Sequence, residues 1–228
     1  MDYAQQNPTD FIGINKLAEE TFGKSVEFSV NGIEGPVDAQ TADEVFHRKD
    51  APVDPNARAV PVDAFSVGGY WLPSAGRVAT YMGTWDFRDD YVNGSAPDDY
   101  ASVMVDFSSG CFNMASVTYN SFTYDNENTS AAMYTKDGGV GGSPIVGLRD
   151  QPSGFKLNVD HGLVQATVAR NFGCSSATSA GAQFSYEHNQ DGESALTVGA
   201  SFSGGLSVGY DAPETALQKG TPATYLSF

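Results

Sequence analysis

Val103-Met104-Val105-Asp106-Phe107-Ser108-Ser109-Gly110-Cys111 and Leu157-Asn158-Val159-Asp160-His161-Gly162-Leu163 decide how this chain is read. In each stretch a branched apolar residue recurs at every second position, an Asp follows the last valine, and a glycine stands close behind. Alternation at period two marks a half-buried strand, and glycine suits the turn that ends it. The reading is one hairpin used twice. The first copy turns at Ser108-Ser109-Gly110 and returns through Val117; the second turns at Gly162 and returns from Leu163 to Phe172. A cysteine accompanies each copy, Cys111 after the first turn and Cys174 after the second hairpin. Bonded, they would close a loop of about sixty residues, constraining the unfolded chain by about 4 kcal/mol, and would indicate an oxidising compartment. Unbonded, they read as two buried thiols.

The same alternation continues on both sides. Val78 to Phe87 reads as a strand, and polar turn material follows through Asn93-Gly94-Ser95 and Asp98-Asp99. A long loop rich in Asn and Gly, Asp125 to Asp150, separates the two hairpins. Further on, Phe184 and Tyr186 lead into a turn at Asn189 to Gly192. Leu196, Val198, Ala200 and Phe202 then share one face, as do Leu206, Val208 and Tyr210, opposite a face of Ser, Thr, Gly and Gln. Such strands have one side packed and one side wet. Tyr225 to Phe228 reads as a last strand closing the sheet.

Upstream the pattern changes. Residues 7–23 read as an amphipathic helix, capped by Asn7, with Pro8 in its first turn, Asp10 at its positive end and Gly23 at its close. Phe11, Ile14, Ala18 and Phe22 fall on one face at helical spacing. Val26, Phe28 and Val30 then alternate ahead of an Asn31-Gly32 turn. Thr41 and Glu44 form a capping box for a second short helix finished by Asp50. Three prolines between Asp50 and Asp63 suit neither regular element. The division expected is therefore an α/β module over 1–50, a Pro-rich linker over 51–63, and an all-β domain over 64–228. That domain is an antiparallel barrel or sandwich of about eight to ten strands.

Composition agrees and narrows the functions. Hydrophobic residues make up 40% of the 228 positions and charged residues only 18%, with 25 glycines, which suits short strands and turns better than helices. The net charge of −16 repels phosphate backbones and anionic membranes, so nucleic-acid binding is disfavoured. Met1 to Gln6 has neither the basic nor the apolar region of a secretory signal, so the chain reads either as cytosolic or, the preferred expectation, as a mature chain with a start methionine added. No apolar run approaches the length of a spanning helix.

Catalytic motifs are incomplete. Gly205-Leu206-Ser207-Val208-Gly209 matches the hydrolase elbow, but no histidine follows Ser207 and the motif continues the strand alternation. His47, His161 and His188 lack zinc-type spacing. His161 takes the place of Phe107 in the other hairpin copy and reads as an inward core residue, while His188 reads as part of a solvated turn near Asp191 and Glu193. Carboxylates gather at Asp86-Asp89-Asp90, Asp98-Asp99 and Asp125 to Asn128 without the EF-hand spacing for calcium. Thr135-Lys136-Asp137-Gly138-Gly139 begins like a sialidase Asp-box without its Trp and reads as a turn. The densest aromatic stretch, Tyr70, Trp71, Trp85 and Tyr91 with Asp89 and Asp90, combines flat rings with acids, as sites for sugars and other planar ligands do. Those six residues are the candidate ligand site, weighed against simple core packing, and the 125–150 loop is the second place to look.

Ala79, Tyr81 and Gly83 (A-x-Y-x-G), followed by Val103, Val105, Asp106, Phe107 and Gly110 (V-x-V-D-F-x-x-G) and by the second Val-Asp hairpin, resemble transferrin-binding-protein-like barrels. The resemblance implies a bacterial surface or secreted protein, with capture of haem or of a host protein as the family's activities. An α/β segment ahead of a barrel is similar to its secreted haem-binding members. Taken together, the expectation is a secreted or surface-exposed binding protein for a small ligand, glycan or host protein, with haem or calcium as the cofactors to consider. The alternatives are a homo-oligomeric fibre or coat subunit assembled by strand exchange, a carbohydrate-active enzyme with a carboxylate pair from Asp86 to Asp99, and an outer-membrane barrel.

Overall fold

Phe65, Val67 and Trp71 project to one side of their strand and Tyr70 and Leu72 to the other, and two different cores form on the two sides. The computed structural model describes residues 2–47, 63–73, 76–88, 91, 98–137, 143–149, 152–153, 156–174, 179–191, 197–202, 204–209 and 215–227. It begins with α1 (Asp2–Gln6), α2 (Phe11–Phe22), β1 (Phe28–Val30) and α3 (Ala39–Phe46). There follow β2 (Phe65–Leu72), β3 (Val78–Phe87), β4 (Asp99–Val105), β5 (Phe112–Phe122), β6 (Met133–Asp137), β7 (Ile145–Leu148), β8 (Pro152–Ser153) and β9 (Lys156–Leu157). The last are β10 (His161–Arg170), β11 (Ser179–Asp191), β12 (Thr197–Ser201), β13 (Gly205–Gly209), β14 (Thr215–Gly220) and β15 (Thr224–Ser227).

Two antiparallel sheets face each other. The first runs β1-β2-β3-β10-β5; the second runs β14-β11-β4-β7-β6, with β15 also on β11. Ten of these strands follow residue 64. Among the described residues no strand pairing joins the two sheets, so the architecture is a sandwich and not a closed barrel. Between the sheets lie Trp85, Phe87, Val103, Val105, Val164, Val168, Phe184 and Tyr186. Gly83 is what lets them meet closely: a Cβ there would collide with the ring of Phe184 from the opposite sheet.

The outer face of the first sheet carries the helices. Phe11, Ile14, Ala18 and Phe46 bury themselves there against Phe28, Val30, Tyr70, Met82 and Leu163. β1 belongs to the same sheet, with Phe28 opposite Tyr70 and Val30 opposite Gly68. The helix ends differ from expectation. Asp10, not Asn7, caps α2 by accepting from the Gly13 amide at 2.9 Å, while Asn7 bonds back to the Tyr3 carbonyl and closes α1. Asp38, not Thr41, caps α3 through the Thr41 amide at 2.8 Å. A carboxylate serves both because it accepts from amides that the helix leaves unpaired. Gly23 ends α2 in the left-handed conformation, as its position predicts, whereas Phe22 is exposed. The prolines between residues 51 and 62 lie outside the described residues.

The duplicated hairpin is not there. β4 belongs to the second sheet and β5 to the first, so the Ser108–Gly110 turn carries the chain across the sandwich without pairing its flanks. Gly162 lies inside β10, opposite Trp85 and Ser121, because a side chain there would strike the Asn120 carbonyl and the Trp85 ring. β5 and β10 do pair with each other, and Cys111 and Cys174 form a disulfide just beyond their shared end, with Cα atoms 5.7 Å apart. At the C-terminal end, β11 continues past Asn189, where a turn is expected, with a shift of register between Asn189 and Asp191. The β12–β13 hairpin forms as the alternation predicts and lays Leu206, Val198, Ala200 and Val208 on Tyr100 and Ile145. β15 closes onto β11, with Gly181 opposite Tyr225.

Candidate functional site

The predicted aromatic site is divided among three places. Tyr70 is fully buried under the helices, where its hydroxyl donates to the Pro8 carbonyl at 3.2 Å and burial pushes its pKa up. Trp85 is buried between the sheets against Phe184 and Tyr186. Tyr91 stacks on Phe87 at the rim of the same core. Asp89 and Asp90 lie outside the described residues. Trp71 lines a cleft, and its indole N–H donates to the Thr224 carbonyl at 3.3 Å.

That cleft has a volume of about 420 Å³. Its walls are two extended segments, Lys24–Glu27 on one side and Thr224–Ser227 of β15 on the other, with Trp71, Pro73 and Gly76 as floor. Val26 anchors the first wall in the helical core, and the Asn15 side chain accepts from its amide at 2.8 Å. The Tyr225 ring stands 62% exposed at the mouth, edge-on to Phe202. Lys24 and Glu27 add two charged residues to the lining. A concave, partly aromatic wall with a few polar groups is the usual make-up of a ligand site. Tyr225 carried its signal only as a terminal strand residue; nothing in the sequence placed it beside Trp71.

A second constellation went unread. His188 is fully buried, not on a solvated turn. Its Nδ1 is 2.8 Å from Asp99 Oδ2, and its Nε2 is 2.9 Å from the Tyr91 hydroxyl. Asp99 also accepts from the Tyr186 hydroxyl at 2.7 Å and from the Asn189 amide at 2.8 Å. With three donors on one buried carboxylate, the group ties β4 to β11. The neighbouring Asp98 accepts from the Tyr134 hydroxyl at 2.6 Å, which together with burial raises the Tyr134 pKa. Ser207 lies on β13, exposed, within hydrogen-bonding reach of the Gly199 carbonyl, so the elbow motif is strand and not a nucleophile turn.

The third cluster, Asp86, Asp160 and His161, lies at the other end of β3 from the cleft. Antiparallel register sets His161 opposite Asp86. His161 therefore shares the outer face with Leu163 rather than pointing into the sandwich, and it stacks on Phe122 with centroids 5.3 Å apart. His47, at the end of α3, lies 3.3 Å from Asp43 and 3.8 Å from Asp86.

The fold thus defines a class, a mainly β two-sheet sandwich with a helical layer. No protein-family model matches the chain, and no curated protein matches it. Three solved structures share the outline. The major pilin subunit BcpA of Bacillus cereus, in its D312A form, has a TM-score of 0.40 and 8% identity, covering 89% of this chain and 40% of that one. This chain therefore spans less than half of that pilin subunit's length. The collagen-binding subdomain of the Enterococcus faecalis surface protein ACE has a TM-score of 0.36 and 6% identity, covering 70% of this chain and 96% of that one. AvmM, which catalyses macrocyclization in alchivemycin A biosynthesis, has a TM-score of 0.33 and 12% identity, covering 73% and 90%. None of these three is a transferrin-binding protein, and at such scores the likeness carries no functional argument. Among the described residues no helix is long and apolar enough to cross a membrane.

Proposed function

We propose that the protein is a secreted or surface-exposed binding module that holds a small ligand or glycan in the Trp71 cleft. The observation that carries this reading is the cleft itself, about 420 Å³ with an exposed tyrosine ring at its mouth. Flat rings match the apolar face of a sugar, and the charged Lys24 and Glu27 of the same lining would pair with its hydroxyls. The disulfide favours an oxidising compartment, and the charge of −16 disfavours polyanionic ligands. The test is a glycan array followed by calorimetry on the best hit. Tyr225→Ala, which removes an exposed ring, is expected to weaken binding about tenfold while leaving the unfolding midpoint unchanged. Affinity untouched by that substitution would move the site away from the cleft.

A second reading, a subunit assembled by strand addition, is favoured by β15. It pairs with β11 on one side, and among the described residues no strand covers its other side. An extended segment from another copy could add there. Sedimentation across a concentration series would then give a ladder of oligomers, and a single monomer boundary throughout would dismiss it.

A further inference from the structure

We propose that Asp86, Asp160 and His161 form a binding site for a divalent transition-metal cation of the zinc class. One carboxylate oxygen from each Asp and one imidazole nitrogen lie within 4.8 Å of one another, close enough to share an ion. Asp160 makes the case beyond proximity. It is 5% exposed, and among the described residues its side chain has a single hydrogen-bonding partner, the His161 Nδ1 at 3.2 Å. A buried carboxylate ordinarily gathers two or three donors, as Asp99 does in this same chain.

His161 sharpens the point. Its Nε2 lies 3.1 Å from the Asn126 side-chain oxygen, a partner for the ring proton in the tautomer that leaves Nδ1 able to ligate. In that tautomer Nδ1 and Asp160 Oδ2 both offer lone pairs to a cation; in the other, or with the ring protonated, Nδ1 donates to Oδ2. A metal ion bound there would take the place of the proton between Nδ1 and Oδ2. Bonds of about 2.1 Å from each atom would span that gap at an angle of roughly 100°. Asn126 becomes the outer partner that fixes the tautomer of a metal-bound histidine.

The frame is rigid. Asp86 and His161 are cross-strand partners, and the Phe87 amide donates to the Asp160 carbonyl at 2.9 Å. Two carboxylates neutralise a divalent charge. One nitrogen among so few oxygens suits zinc, cobalt or manganese better than calcium, which takes six to eight oxygens. His47, 3.8 Å from Asp86, stands where a further ligand could join.

The experiment is calorimetric titration of EDTA-dialysed protein with zinc chloride alone, with thermal unfolding at each zinc concentration. One equivalent of zinc should bind, and the unfolding midpoint should climb with its concentration. Asp160→Asn and His161→Gln should each lower the zinc affinity a hundredfold or so. Because either variant could fail to fold, the unmutated protein is also loaded with cobalt(II), whose visible absorption should show nitrogen and oxygen ligands. Any of four results overturns the proposal: no zinc uptake, a cobalt spectrum no different from the weak pink of aqueous cobalt, binding that survives His161→Gln but vanishes in His47→Gln, or calcium binding in place of zinc.

Discussion

Asp99 holds three donors from β11 at once, those of Tyr186, His188 and Asn189, and it shows what a single side chain contributes to this fold. Asp99→Ala would leave a hydroxyl, an imidazole N–H and an amide buried without their acceptor. The expected loss is about 3–5 kcal/mol, read from the urea midpoint. His188 was legible in principle, since it follows Phe184 and Tyr186 at the same spacing of two. The polar run Asn189 to Gly192 hid it by looking like a turn. Lys219 offers a test by pH. Its amine donates to the Phe65 carbonyl and lies over the Phe65 ring, and burial pulls its pKa from 10.5 to about 8. Between those two values the folded protein holds fewer protons than the unfolded chain, so this group makes stability rise with pH. The comparison belongs below pH 10, because burial lifts Tyr81 to about 12 and tyrosines reverse the slope above their ordinary value of 10. Lys219→Met should flatten the rise measured from pH 8 upward.

At the scale of elements, alternation was the dependable signal. β3 and the β12–β13 hairpin stand where period two places them. The crossing from β4 to β5 was not legible, because Ser108-Ser109-Gly110 serves a hairpin and an inter-sheet arch equally well. Gly110 adopts a φ of 66°, which either would use. What separates them is the partner of β5, and that is β10, supplied by distant sequence. The disulfide fastens this pair across 63 positions. Cys111→Ser with Cys174→Ser is expected to lower stability by about 4 kcal/mol through the freed unfolded chain, measured by denaturant unfolding. Equal stability with and without reductant would contradict that. The candidate cleft was half legible: Trp71 stood out as an aromatic, but its wall comes from residues 24–27 and 224–227, far apart in sequence and joined only by the fold.

The whole molecule layers helices, sheet, sheet and a small hairpin, with acidic residues in excess at 28 against 12 basic ones. Self-repulsion at −16 opposes compaction. Sodium chloride near 1 M, where the screening length falls to about 3 Å, should therefore raise the unfolding midpoint. A fall would show that specific ion pairs, such as buried Arg88 with Asp63, outweigh the repulsion. The layering was foreseen in kind, a β domain with a helical N-terminal part, while the sharing of β1 with the main sheet arose from pairing that local pattern does not encode.

The position of β10 has a consequence for synthesis. It sits between β3 and β5, yet it begins at His161, long after β3 ends at Phe87. On a ribosome adding about 5–20 residues per second, β3 waits roughly 4 to 15 s for its neighbour. Throughout that wait one edge of β3 is open, and Trp85, Tyr81 and Met82 lie near it. The nascent chain is therefore most exposed to wrong pairing midway through its own translation, and a holding factor bound to that edge would act in that interval.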